Sequence, residues 1–297
     1  MPDAVAVALD VGGTKVAAGL VTAEGRIVHQ ERIRQEPVGR PDLAPTLAAA
    51  RTMLSVAADR GLDVVGIGAG FPEYVGADGL LRSSDVMQWR SQPLGELVRL
   101  APGVPCTVDS DVRVAALAEA RCGAGTGLES FLYVTLGTGL SSTFVLHGRP
   151  WAGARGEAIA LGELGVPASL DAGWRGNVEQ YASGTGIARR YPGWVGGADE
   201  VERLAAEGDA TAAGVLRTAA EALGHVIGDV VWVLDPAAVI LGGGLGTADG
   251  ALGRALRSAF AGRLSARPEA PPLLLAALGP GAGLVGAGLV ALSLIHI

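Results

Sequence analysis

Residues 4–22 and 131–148 repeat one theme, and that repetition constrains the fold more than any other feature of the chain. In the first stretch, AVAVALD and VAAGLVT are β-rich runs joined by the tight Gly12-Gly13-Thr14, which reads as a hairpin. In the second, FLYVTLG runs into a Gly137-Thr138-Gly139 turn and then TFVLHG at 143–148. An internal echo of this kind predicts a duplicated fold. Apolar positions Leu43, Leu47, Ala50, Leu54 and Ala57, with Gly61 just beyond, predict an amphipathic helix over 42–60, followed by a buried strand at 64–70. Helices over 93–101 and 112–121 flank a strand at 104–108. Helices over 178–190, 199–206, 211–233 and 250–261 then interleave with strands at 238–242 and 273–279. Such alternation predicts an α/β architecture.

With 297 residues, 49% of them apolar, the chain can fill the cores of two domains of ordinary size. A formal charge of -7 offers no basic face, so nucleic acid is not an expected partner. Cys106 and Cys122 are too few for a disulfide framework, and a reducing cytoplasm is the expected location. The polar, acidic start Met1-Pro2-Asp3 lacks the basic segment of a signal peptide. No charged residue follows Glu269, but Pro271, Pro272, Pro280 and the glycines of 279–288 divide that stretch into a strand and a short core helix. A membrane is therefore not an expected partner. The last residues, Ser293 to Ile297, look odd for a natural end.

Asp10-Val11-Gly12-Gly13-Thr14-Lys15 stands at a strand end, where glycines expose backbone N–H groups to an anion and an Asp can hold Mg²⁺ through water. It reads as a phosphate hairpin, although a plain β-hairpin turn would use the same residues. Gly137-Thr138-Gly139, followed by Ser141 and Ser142, offers a second hairpin of small residues, a weak signal by itself. Gly242, Gly243 and Gly244 follow the strand AVIL and leave a surface without side chains where an adenine ring could lie; an ordinary strand-to-helix turn is the alternative. A phosphoryl acceptor hydroxyl needs a carboxylate to take its proton, and strand 104–108 leads into Asp109-Ser110-Asp111 just before a helix. Asp111 is the expected general base. Capping of that helix by Asp109 or Ser110 is the plainer reading of the same residues.

Taken together, DVGGTK at 10–15, VDSDVRVAALAEA at 108–120, YVTLGTGL at 133–140, GNVEQYASG at 176–184 and VLDPAAVILGGGL at 233–245 resemble the ROK family of sugar kinases and repressors. The five motifs are collinear and span nearly the whole chain. The resemblance implies an actin-like, hexokinase-like (ribonuclease H-like) duplicated α/β fold, with two domains and ATP in the cleft between them. The expected domains are 1–112, completed by a C-terminal helix at 281–297, and 113–280. Asp10 and the Gly137–Gly139 turn are implied at the phosphates and Gly242–Gly244 near adenosine. Asp111 is implied as the base that deprotonates a sugar 6-hydroxyl, and Glu179 as a sugar-hydroxyl acceptor. Repressors of the family carry a winged helix-turn-helix before the phosphate hairpin, whereas nine residues precede Asp10 here, so a kinase is expected. A homodimer is the assembly the family implies.

The chain also departs from the family. Where many relatives hold a structural zinc through cysteines, it has Leu170, Ala172 and Asn177, so no zinc site is expected. A Gly-Glu-Ile-Gly-His segment is represented either by Gly162-Glu163-Leu164-Gly165-Val166 or by a run from Gly153 in which Ala160 replaces the Glu and Glu163 the His. Both alignments bring Glu163 near the sugar; a solvent-facing loop carboxylate is the alternative. Asp109-Ser110 stands for Glu-Asn, Arg113 for a second Asn, and Asp85 for the Asn ahead of Trp89. Swaps among groups that read hydroxyls move substrate preference. Extra carboxylates would suit an ammonium group, so an amino sugar such as kanosamine joins glucose and a C7-cyclitol as an expected acceptor. A non-catalytic sugar sensor and a polyphosphate-using kinase are the rival readings.

Overall fold

The structure is a computed structural model that describes residues 4–13, 15–34, 43–84, 89, 91–193 and 196–293. The chain divides into two compact units, Met1–Gly127 with Gly148–Ile159 and Pro280–Ile297, and Leu128–His147 with Ala160–Gly279.

In the first unit, β1 (Ala4–Val11), β2 (Lys15–Val21), β3 (Ile27–Arg34), β4 (Asp63–Phe71) and β5 (Cys106–Ser110) form a sheet in the order β3-β2-β1-β4-β5. β1 and β2 are the antiparallel hairpin, with Asp10 opposite Ala17, while β4 and β5 run parallel to β1. Parallel strands bring their carboxyl ends to one edge, and the register sets Asp10 beside Gly70, and Gly70 beside Asp109. Val5, Val7, Leu9, Ile67 and Phe71 pack with Met53 of α1 (Ala44–Asp59) in the core. Strand β3 is not predicted from the sequence, because its His29-Gln30-Glu31-Arg32 run lacks apolar alternation; it sits at the sheet edge, where a polar strand is tolerated.

Helices α2 (Pro93–Leu100), α3 (Asp111–Cys122) and α9 (Ala282–Ser293), with the short β8 (Arg149–Pro150), complete this unit. The expected boundary at residue 112 therefore falls inside α3, which stays with the first unit because it packs on α9. That contact is backbone against backbone. A Cβ at Gly286 would lie 1.7 Å from the Val114 carbonyl oxygen, and one at Gly68 would lie 1.8 Å from that of Ala287. The uncharged C-terminal helix is thus buried against β1, β2 and β4. Among the described residues no helix is long and apolar enough to cross a membrane.

The second unit repeats the plan. β6 (Ser130–Leu136) and β7 (Leu140–Leu146) form an antiparallel hairpin, and β9 (Val239–Gly242) and β10 (Leu273–Leu275) extend it with parallel pairs in the order β10-β9-β6-β7. Around them lie α4 (Val178–Ala182), α5 (Gly184–Arg190), α6 (Ala198–Ala206), α7 (Ala210–Leu234) and α8 (Ala251–Arg263). The single helix expected over 178–190 is two, because Ser183 is extended and its hydroxyl accepts the Gly186 N–H at 3.1 Å to start a new helix.

Replacing Gly286 with Ala is expected to cost about 1–3 kcal/mol, since the methyl must displace the α3 backbone. Gly262→Ala in α8, where an added Cβ meets no neighbouring atom, is expected to be neutral or to stabilise by about 0.5–1 kcal/mol. Thermal melts of the two variants check this, and equal losses would contradict the packing.

Candidate active site

Three acidic side chains gather at the carboxyl edge of the first sheet, where parallel α/β sheets bind their ligands. Asp10 ends β1, Asp111 opens α3, and Glu73 follows β4. Burial pushes the Asp111 carboxyl up to about 7, the nearby Asp10 and Glu73 charges add to the rise, and the Val112 N–H donating to Oδ1 at 2.6 Å opposes it. Burial also raises Asp10, against the pull of Lys15 and Arg32. The Asp10 carboxylate lies over the first turn of α9: a Cβ at Gly283 would be 2.6 Å from its Oδ2.

Glu73 was not singled out from the sequence. It is 3% exposed, accepts the Ser83 hydroxyl on Oε2 and accepts Trp89 Nε1–H on Oε1 at 3.2 Å. Trp89 in turn meets Phe71 edge-on at 5.1 Å. The signal that could have found Glu73 is its position, an acidic residue two places beyond a buried strand of a parallel sheet.

Neither Asp109 nor Ser110 caps α3. The Ser110 side chain makes no capping bond, and Asp109 Oδ1 accepts Ser110 N–H at 2.7 Å and Arg113 Nε–H at 2.6 Å instead. Ser110 is wholly buried close to Asp111, and its hydroxyl completes no hydrogen bond of normal geometry. Arg113 is 2% exposed and also donates to the Val75 and Gly156 carbonyls at 2.6 and 2.9 Å. Gly12 N–H donates to Lys15 O at 2.9 Å to close the first hairpin, and Gly13 and Lys15 are exposed. Thr14 and Asp85 lie outside the described residues.

In the second unit the two glycine turns meet at the end of β6. Gly243 has φ +78, and a Cβ there would be 2.3 Å from Leu136 O, the oxygen that accepts Leu245 and Gly246 N–H at 3.0 Å each. Gly242 is a packing glycine, its missing side chain replaced by the Tyr133 hydroxyl, so Gly244 is the member of the trio with open space around it. The Gly137-Thr138-Gly139 turn is docked on α5, with Gly184 and Thr185 N–H donating to Gly137 O and Thr138 O at 2.8 and 3.1 Å. Gly137 likewise faces open space.

Glu179 of α4 reaches this turn, its Oε2 accepting Leu140 N–H at 3.2 Å. Burial raises its pKa, the Leu140 N–H opposes, and Glu163 raises it further. Glu163 is exposed but tethered, since Asn177 Nδ2–H donates to its Oε2 at 3.1 Å while Asn177 caps α4 in a reciprocal pair with Gln180. The segment holding Leu170, Ala172 and Asn177 is pinned by Asp171, which accepts Gly173 and Trp174 N–H on Oδ1 and the Tyr181 hydroxyl on Oδ2. Among the described residues no three His, Cys, Asp or Glu side chains are grouped to hold a metal ion.

The chain matches the ROK family model over residues 6–293. It is 30% identical to a glucokinase of Halalkalibacterium halodurans, over 97% of this chain and 95% of that protein. The crystal structure of a ROK hexokinase from Thermus thermophilus superposes with a TM-score of 0.83 at 32% identity, covering 98% of this chain and 99% of that one. A ROK family glucokinase from Streptomyces griseus, solved with glucose and AMPPNP, gives a TM-score of 0.79 at 29% identity, covering 97% and 99%. The fold is thus the actin-like, hexokinase-like one.

Because burial raises the Asp111 pKa above its unfolded value of 3.8, the unfolded chain sheds that proton first, and the native state loses stability as pH climbs through the window up to about 7. Asp111→Asn is expected to stabilise the protein at pH 8 by as much as about 3–4 kcal/mol, and to add nothing near pH 4. Denaturant titrations at the two pH values test this; equal effects at both would contradict the burial.

Proposed function

This chain belongs to the ROK family, and from that premise we propose that it transfers the γ-phosphoryl group of ATP to the primary 6-hydroxyl of a glucose-like sugar. The observation that carries the reading is the placement of Asp111, which opens α3 at the carboxyl edge of the parallel sheet near Asp10 and Glu73, in surroundings that push its carboxyl up to about 7, the range of a general base. In this reading Asp111 takes the proton of the attacking hydroxyl while burial excludes competing water. Phosphoryl transfer asks little covalent chemistry of a protein and much positioning and charge stabilisation. Asp10 would hold Mg²⁺ through water, and the metal, when bound, neutralises charge on the phosphates. Gly12 and Gly137 shape the two turns through their own N–H bonds to Lys15 O and Gly139 O, and the proposed contacts to phosphate oxygens are the backbone N–H groups of Gly13 and Gly139, with Thr14, Lys15 and Thr138. The open surface at Gly244 suits an adenosine, Gly242 and Gly243 being needed to shape the turn.

Asp109, Ser110, Glu163, Glu179 and Asp85 are the proposed readers of sugar hydroxyls, and we add Glu73 to them for its burial beside Asp111. The unsatisfied Ser110 hydroxyl supports this, since a buried orphan polar group calls for a partner. An amino sugar such as kanosamine is the second acceptor class. It is favoured by one observation: Glu163 and Glu179 hold like charge near one another, which an ammonium group would relieve.

A coupled ADP-release assay with MgATP, run across glucose, mannose, N-acetylmannosamine, glucosamine, kanosamine and a C7-cyclitol, with polyphosphate as alternative donor, tests the reading. Turnover of at least one acceptor to its primary phosphate ester is expected, and Asp111→Ala should lower kcat/KM by about 10²–10⁴-fold. Unchanged turnover in that variant, or no turnover of any acceptor, would overturn it.

A further inference from the structure

Arg113 is buried, yet its partner Asp109 is 26% exposed by side chain, so the cation lies inside and the carboxylate at the surface. The guanidinium cannot swing away from that arrangement. Its Nη1 and Nη2 are tied to the Gly156 and Val75 carbonyls, which belong to separate stretches of the first unit. Those stretches are pressed together: Gly156 has φ +86, and a Cβ there would lie 2.0 Å from Val75 O. All the hydrogen bonds that Asp109 accepts among the described residues fall on Oδ1, leaving Oδ2 for a ligand.

We propose that Arg113 is a positioning residue that sets acceptor specificity: it compensates the charge of Asp109 and aims Oδ2 at a neutral hydroxyl, disfavouring an ammonium group at the same place. A carboxylate whose charge is already compensated by a fixed guanidinium still accepts a hydrogen bond from a hydroxyl. An ammonium arriving there meets a cation that cannot retreat, and gains little from the carboxylate. Of the carboxylates that suggest an amino sugar, Asp109 therefore favours a neutral polyol. This inference rests on the reading of Asp109 as a sugar-facing residue.

The test compares glucose with glucosamine and kanosamine in the wild type and in Arg113→Gln, Arg113→Lys and Asp109→Asn, with circular dichroism to verify folding. Arg113→Gln is expected to raise KM for glucose about tenfold with little change in kcat, and to shift the amino-to-neutral ratio of kcat/KM about tenfold toward the amino sugar. Arg113→Lys, which keeps the charge, should hold the ratio near the wild-type value even where KM rises. Should Arg113→Gln fail to fold, Asp109→Asn decides, since it leaves the cation uncompensated and should move the ratio against amino sugars. An unchanged ratio in the folded Gln variant, or in the Asn variant, overturns the inference while leaving the kinase reading intact. Wild-type turnover of no acceptor overturns the kinase reading, and this inference with it.

Discussion

Helix α9 carries glycine or alanine at the points where it meets the backbones of α3 and β4, and the first unit is built on that close approach. Gly286 and Gly68 let the α9 backbone touch α3 on one side and β4 on the other, closer than any residue with a Cβ allows. A contact at this range is unforgiving, because packed interiors relax only partly around an added atom. It fixes α3 over the sheet, and α3 begins with Asp111. It also sets Gly283 under the Asp10 carboxylate. The burial that lifts both carboxyls above their ordinary range is thus a consequence of helix packing far from either group in sequence.

The same edge of the sheet separates its carboxylates by chemistry. Asp109 is paired with a buried arginine, Glu73 is held by a hydroxyl and an indole N–H, and Asp111 has the charges of Asp10 and Glu73 near it. Carboxylates along one edge therefore meet different surroundings, the condition under which one can act as a base while its neighbours read a ligand. In the second unit the corresponding economy is in backbone: Leu136 O gathers one glycine turn and α5 gathers the other, and each turn leaves open space at one glycine, Gly244 and Gly137.

The parts legible in the sequence are those whose cause is local. Both hairpins, the alternation of helix and strand, and the acidic run at the start of α3 follow from glycine placement and apolar period within short windows. The break at Ser183 has a local signal as well, since its hydroxyl can cap a new helix, but the single helix expected over 178–190 ran through it. Long-range causes were hidden. The partners of Arg113 lie 38 and 43 residues away, and those of Glu73 lie 10 and 16 residues on. The packing of α3 on α9 was hidden for the same reason, because a glycine that admits a helix reads no differently from one in a turn until the helix is seen against it.

The dependence of kcat/KM on pH for sugar-stimulated ADP release in the wild type tests the central claim most directly, since it reports the essential base of the free protein. Asp111, its carboxyl pushed up to about 7, acting as that base predicts an acid limb near pH 7, with the rate falling about tenfold per pH unit below it. A profile that stays flat down to the ordinary carboxylate range near pH 4 would contradict the account.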